Sequence, residues 1–262
     1  MFNKNYVVMV IAIIFFFFQL YIPFVHASET EESKLQELQR LSQIFYEKVK
    51  IKEYAAAKGE LVKLSLLFPT ISYKGLTTTE GIEAISAVII HSKKELAAIS
   101  PNEKSILYSA TQLYLAIDAL THPLQPYWHR YYPVINKDLN TIEQKIKTKD
   151  AKQIEVAYTH FQNDYLLIRP AIIVVKPPYV VERTDSLIKA LVSQQVDQNK
   201  EILLNQLRTN INQLFYGDGK ETWVNYIGEN TIWKTSVGMG ITIFIALSYV
   251  IWRKFKGVRY ST

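Results

Sequence analysis

Residues 35–69 read LQELQRLSQIFYEKVKIKEYAAAKGELVKLSLLFP, and the spacing of the apolar residues in this stretch decides the fold class. Leu35, Leu38, Leu41 and Phe45 recur at intervals of three and four, which places them on one face of a helix. Tyr54, Ala57, Leu61, Leu64 and Phe68 mark a second stripe. Ile51-Lys52 separates the stripes and Pro69 ends the pair, so the stretch predicts a helical hairpin. The series Leu41, Ile44, Tyr54, Ala57, Leu61, Leu64, Pro69 resembles one tetratricopeptide unit, with Phe45 where that pattern prefers a small residue. A single unit does not make an array, because stacked neighbours are needed to bury the faces.

The same period continues outward. Thr77-x-x-Glu80 is a capping box that opens a helix to about Ala98. Ser100-Pro101-Asn102-Glu103 opens the next, with Ser100 as cap and Pro101 in the first helical position. Ile106, Ala110, Leu113, Tyr114, Ile117 and Leu120 give it a buried face, and His122-Pro123 stops it. A helix over 133–147 follows, then one capped by Asp150 that buries Ile154, Tyr158, Phe161, Tyr165 and Ile168 and closes at Pro170. Ile172-Ile173-Val174-Val175 is β-branched and precedes Pro177-Pro178, so residues 171–178 are expected as an extended strap. Helices over 180–193 and 199–216 complete the body. The predicted fold is all-α, with antiparallel helical hairpins compatible with tetratricopeptide-like packing, and one C-terminal transmembrane helix.

The two ends are hydrophobic for a different reason. Lys4 precedes an apolar run over 6–18, and Val25-His26-Ala27 forms a small-x-small site before the acidic Glu29, Glu31 and Glu32. This is the pattern of a signal peptide, 1–27, cleaved after Ala27; the alternative is an uncleaved N-terminal anchor. Residues 235–252 carry no charge, and 18 residues of helix span about 27 Å, close to the ~30 Å of a hydrocarbon core. Trp233, Tyr249 and Trp252 stand where interfacial aromatics belong, and Arg253, Lys254 and Lys256 follow. The positive-inside rule makes 253–262 a cytoplasmic tail and puts the body, 28–216, outside a bacterial cell membrane. Residues 217–234 read as a tether opened by Gly217-Asp218-Gly219; its first ~14 residues, 217–230, as flexible coil would reach only roughly 20 Å. Gly238, Thr242 and Ala246 recur every four residues of the anchor, a small-residue face suited to weak self-association.

Charge distribution supports the same reading. Of the 30 Lys and Arg residues, six (Lys4, Lys234, Arg253, Lys254, Lys256, Arg259) flank the apolar ends, leaving a body whose basic and acidic residues balance. A balanced body argues against nucleic acid as a partner and leaves membrane orientation as the use of the basic excess. The absence of cysteine excludes disulfides, thiolate metal sites and a cysteine nucleophile.

No catalytic constellation is written in the chain, and no cofactor or metal is expected. Ser186-x-x-Lys189 matches a penicillin-recognising motif, but its companion motifs are absent. His160 and Asp164 lie four apart on one helix face, where they form a surface hydrogen bond or, alternatively, a base and its orienter. The most distinctive stretch is Pro126-Tyr-Trp-His-Arg-Tyr-Tyr-Pro133. Tyr127, Trp128, Arg130 and Tyr131 are its candidate partner-binding residues, either stacking on a ligand or packing between helices. Arg169-Pro170 and Glu182-Arg183 bracket the expected strap and can pair across it. The function expected is therefore non-enzymatic binding or scaffolding of a protein partner at the membrane. The alternative is a cell-wall hydrolase or cell-wall binder built on His160, Asp164 and the 127–132 aromatics.

Three motifs carry a family resemblance: Tyr165-x-x-Ile168-Arg169-Pro170, Val181-Glu182-Arg183-x-Asp185-Ser186, and Leu247-Ser248-Tyr249-Val250-x-Trp252-Arg253-Lys254-Phe255-Lys256-Gly257. With them the chain resembles the YpjB family, sporulation-associated membrane proteins of endospore-forming bacteria. Phe255 stands where that pattern has Tyr. The resemblance implies a role in spore formation and a membrane location, and it supplies no catalytic residues.

Overall fold

The computed structural model describes residues 31–193 and 200–217, and all regular structure among them is helical. The signal peptide, the anchor over 235–252, its small-residue face at Gly238, Thr242 and Ala246, and the basic tail at Arg253, Lys254 and Lys256 lie outside the described residues. Among the described residues no helix is long and apolar enough to cross a membrane. The chain divides into two compact units, Met1–Ile211 and Asn212–Thr262. The described part of the second is the end of the last helix and Gly217, which takes a positive φ of 59°.

The opening hairpin is α1 (31–50) and α2 (Tyr54–Leu67), followed by a 3-10 turn at Phe68–Thr70. Lys52 sits between them in the left-handed region, with φ 62°. Its N–H donates to Val49 O at 3.0 Å and that of Glu53 donates to Lys48 O at 2.9 Å. Those two bonds make a Schellman motif that satisfies the last carbonyls of α1 without a glycine. Leu38, Leu41, Phe45, Ala57, Leu61, Leu64 and Phe68 are all buried, as the stripes predict.

α3 (Thr79–Ala97) and α4 (Glu103–Thr121) begin one and two residues later than their capping motifs suggest. Thr78, not Thr77, caps α3 through the N–H of Gly81; Asn102, not Ser100, caps α4 by accepting from Lys104 N and Ser105 N. Thr77 instead reaches across the fold, where its hydroxyl donates to Val174 O at 2.6 Å. A Cβ on Gly81 would stand 2.0 Å from Thr77 Oγ1 and 3.2 Å from Val174 Cα, so this approach requires glycine.

α5 (Tyr132–Thr148), α6 (Ala151–Val175), α7 (Pro178–Ser193) and α8 (Lys200–Tyr216) follow. The expected strap over 171–178 is wrong: α6 runs straight through Pro170 to Val175. An interior proline costs about 3 kcal/mol, partly by orphaning the carbonyl four residues earlier. That carbonyl, Leu166 O, accepts instead from Gln112 Nε2 of α4 at 2.9 Å. Beyond the proline, Ala171, Ile172 and Val174 are buried. Burying Ile172 and Val174 stabilises by roughly 1.5–3 kcal/mol each, against a few tenths for the poor helix propensity of a β-branched residue. Packing wins over local preference, and Pro177 rather than Pro170 ends the helix.

α6 is 25 residues, about 37 Å long, and α3, α4, α5 and α7 all pack on it. Contacts between elements distant in sequence distinguish this arrangement from a solenoid, in which each unit meets only its neighbours. α8 is tied to α5 by Arg208, which donates to Asn136, Asn140 and Glu143 at 2.8–3.1 Å. It is tied to α7 by Asn210, which donates to Thr184 Oγ1 at 2.6 Å.

Candidate functional site

Pro177-Pro178 turns the chain sharply, because Pro177 cannot continue α6 and Pro178 is suited to the first position of α7. The turn sets α6 and α7 side by side and brings two separate sequence motifs together. Asp185 of α7 accepts from Arg169 of α6 twice, Nε to Oδ1 at 3.1 Å and Nη2 to Oδ2 at 2.6 Å. Tyr165 Oη donates to Asp185 Oδ1 at 2.8 Å. The carboxylate thus holds three donors in the fork geometry that favours arginine. The hydrogen bond to Asp185 raises Arg169 further above its ordinary range. Burial, then the Asp185 charge, pushes the Tyr165 hydroxyl far above that of an ordinary tyrosine. Arg169 therefore stays protonated and Tyr165 stays neutral across physiological pH. The pairing expected across the strap, Arg169 with Glu182, does not form; Glu182 and Arg183 are exposed, and Asp185 takes the role.

This triad floors a trough of about 370 Å³. Gln162, Tyr165, Leu166 and Arg169 line it from α6, and Asp185, Ile188, Lys189 and Val192 from α7. On each wall the lining residues recur at intervals of three, four and seven, the seam of a helix that packs against others. Leu166 and Val192 remain 40% and 46% exposed.

Of the two readings of the aromatic segment, stacking on a ligand or packing between helices, the geometry is that of packing. Pro126 leads into a 3-10 turn, Tyr127–Tyr131. Trp128 is fully buried and packs edge-on to His129, centroids 4.2 Å apart, so it is withdrawn from the surface set. Tyr127 is exposed, but its ring meets Tyr114 at 5.7 Å and lies beneath the Arg130 guanidinium at 4.2 Å. Tyr114 in turn stacks on Tyr46 at 5.2 Å, and Lys50 stands 5.8 Å over Tyr46. The result is a ladder of three tyrosines with a cation at each end, in which the rings are largely used on one another. Tyr131 is half-buried, and burial raises its hydroxyl above the usual tyrosine range.

Asp118 holds the turn in place. It is 1% exposed, accepts from Tyr127 N at 2.5 Å and contacts His122 Nδ1 at 3.0 Å. Burial raises its carboxyl above the ordinary value, opposed by the bond from Tyr127. Sequence reasoning passes over it; the available signal is a lone acid on the apolar stripe from Leu113 to Leu120.

His160 is exposed, and Asp164 meets a second acid, Asp138 of α5. Burial and then the hydrogen bond to Asp164 push Asp138 up to about 6, so Asp138 carries a proton in mildly acidic solution. Among the described residues no three His, Asp or Glu side chains are grouped to hold a metal ion.

Over residues 35–261 the sequence matches the family model described as Sporulation protein YpjB (SpoYpjB). No curated protein and no solved structure is detectably similar.

Proposed function

Starting from the chain's membership of the sporulation protein YpjB family, we propose that it serves spore formation as a membrane-tethered, non-enzymatic binding protein. The body, 28–216, lies outside the cytoplasm, residues 217–234 tether it, residues 235–252 span the bilayer, and the tail with Arg253, Lys254 and Lys256 is inside. The uncharged 18-residue segment followed at once by four basic residues supports this topology. Confinement near the bilayer raises the local concentration of partners that are also at the membrane, so weak contacts suffice.

The observation that carries the binding reading is the triad and the apolar trough beside it. Arg169 and Tyr165 both donate to Asp185, and beside them runs a trough walled by Leu166, Ile188 and Val192. Such a site offers shape and apolar area rather than a base or a nucleophile. The alternative of a wall hydrolase gains nothing from His160, which is exposed beside a carboxyl pair rather than paired with an orienting acid.

A strain lacking the gene is expected to form fewer heat-resistant spores, and a body released from its anchor to rescue it poorly. Normal sporulation without the gene, or full rescue by the released body, would overturn the proposal. Alkaline phosphatase fused after Lys220 is expected to be active and after Gly257 inactive; the opposite pattern would invert the topology.

A further inference from the structure

We infer that the trough between α6 and α7 is the seat for one amphipathic helix of a partner protein, bearing aliphatic side chains along one stripe and a carboxylate beside it. The inference rests on the binding reading above and specifies its ligand.

Three observations carry it. The first is spacing. Both walls present residues at intervals of three, four and seven, Leu166 with Gln162 and Arg169 on α6, and Asp185 with Ile188 and Val192 on α7. Two adjacent helices in that register form a groove that a third helix fills with side chains of the same period. The second is openness to solvent along the rim. Leu166 is 40% exposed and Val192 46%, so the site is a trough that receives side chains from above. A small molecule would need enclosure on most of its surface.

The third is charge. Arg169 and Asp185 neutralise one another through the paired bonds at the floor. Lys189 also lines the trough, and among the described residues it makes no ion pair. One net positive charge therefore edges an apolar trough, and a partner helix satisfies it with Glu or Asp one turn from its aliphatic contacts. A basic helix would place a like charge there, which disfavours it.

A helix-stabilised synthetic peptide is the probe, with Leu at i, i+3 and i+7 and Glu beside the stripe, titrated by fluorescence anisotropy against the full-length chain in detergent. The Leu/Glu peptide is expected to bind, and a scrambled isomer without the stripe is not. Lys189→Glu is expected to weaken the Leu/Glu peptide about three- to five-fold, as for a rim ion pair. It should restore a matched Leu/Lys peptide. Leu166→Asp is expected to weaken binding at least ten-fold. Equal binding of the scrambled isomer, or no reversal of preference on charge exchange, would overturn the inference. Sedimentation of the full-length chain gives a further check: self-association lost in Leu166→Asp would make the occupant a second copy of this chain and overturn the partner assignment. In sporulating cells, Leu166→Asp at normal abundance is expected to lower the yield of heat-resistant spores. Normal yield from that variant, with a defect in the deletion strain, would remove the trough while leaving the broader function standing.

Discussion

The turn at Tyr127–Tyr131 and the trough between α6 and α7 both set tyrosine beside arginine, and they use the pair in different ways. In the turn, Arg130 lies over the face of Tyr127, and the rings behind it stack into a ladder ending at Lys50. The aromatic area is consumed in fastening the turn to α4 and α1. In the trough, Arg169 and Tyr165 both point at one carboxylate, and apolar side chains on either side stay uncovered. A surface rich in aromatic residues is thus the closed one. A stretch of ordinary Leu, Ile and Val is the open one. What separates them is whether the polar groups have been satisfied locally, which leaves the neighbouring apolar area for something else.

The largest expected effect tests whether the turn is core. Trp128→Ala should destabilise the body by about 3–5 kcal/mol, read as the midpoint of urea unfolding followed by circular dichroism. A loss below about 1 kcal/mol would return Trp128 to the surface. Next is Arg169→Ala. It leaves Asp185 half-buried with only Tyr165 as donor, and because the pair is partly solvated the loss should be about 1–2 kcal/mol. Arg130→Ala removes one cation–ring contact on the surface and should cost under about 1 kcal/mol. If Arg130 mattered more than Arg169, the contrast between the two regions would be reversed.

The last test is one of pH, at the Asp138–Asp164 pair beside the turn. Asp138 is raised to about 6 in the fold, against about 3.9 in an unfolded chain, so the folded state binds a proton the unfolded state releases. The body should be most stable below about pH 4 with respect to this pair and lose that stability as pH rises through 6. Asp138→Asn should flatten this dependence of the thermal midpoint and raise the midpoint at pH 7. An unchanged profile would show that Asp138 is not raised in the fold.

The helices are legible because their stripes are long and periodic; Leu38 to Phe68 and Ile106 to Leu120 lie on the faces their spacing assigns. Three departures from the sequence reading share one cause. Local chemistry makes Thr77 a cap, Pro170 a stop and the Ile172–Val175 run a strap, while each is governed by a distant partner. Thr77 answers Val174, 97 residues away, and Pro170 is tolerated because of Gln112. The site is legible only in part. Tyr165, Arg169 and Asp185 stand in two motifs that the sequence singles out, but nothing in either motif says that they meet. Packing between helices is one of the two readings the sequence offers for residues 127–131, but composition does not mark that Trp128 is the ring that turns inward while Tyr127 stays exposed.

Pro170 also limits how far this protein can be taken apart. Every residue lining the trough lies within α6 and α7, so those two helices look like a portable module. They are not one. The carbonyl that Pro170 strands is answered from α4, and the buried Ala171–Val174 segment ends against Thr77 at the start of α3. An excised α6–α7 hairpin would keep all of the trough's side chains and lose the supports that hold one of its walls straight. The binding surface belongs to the whole body, and grafting it elsewhere would mean carrying α3 and α4 along.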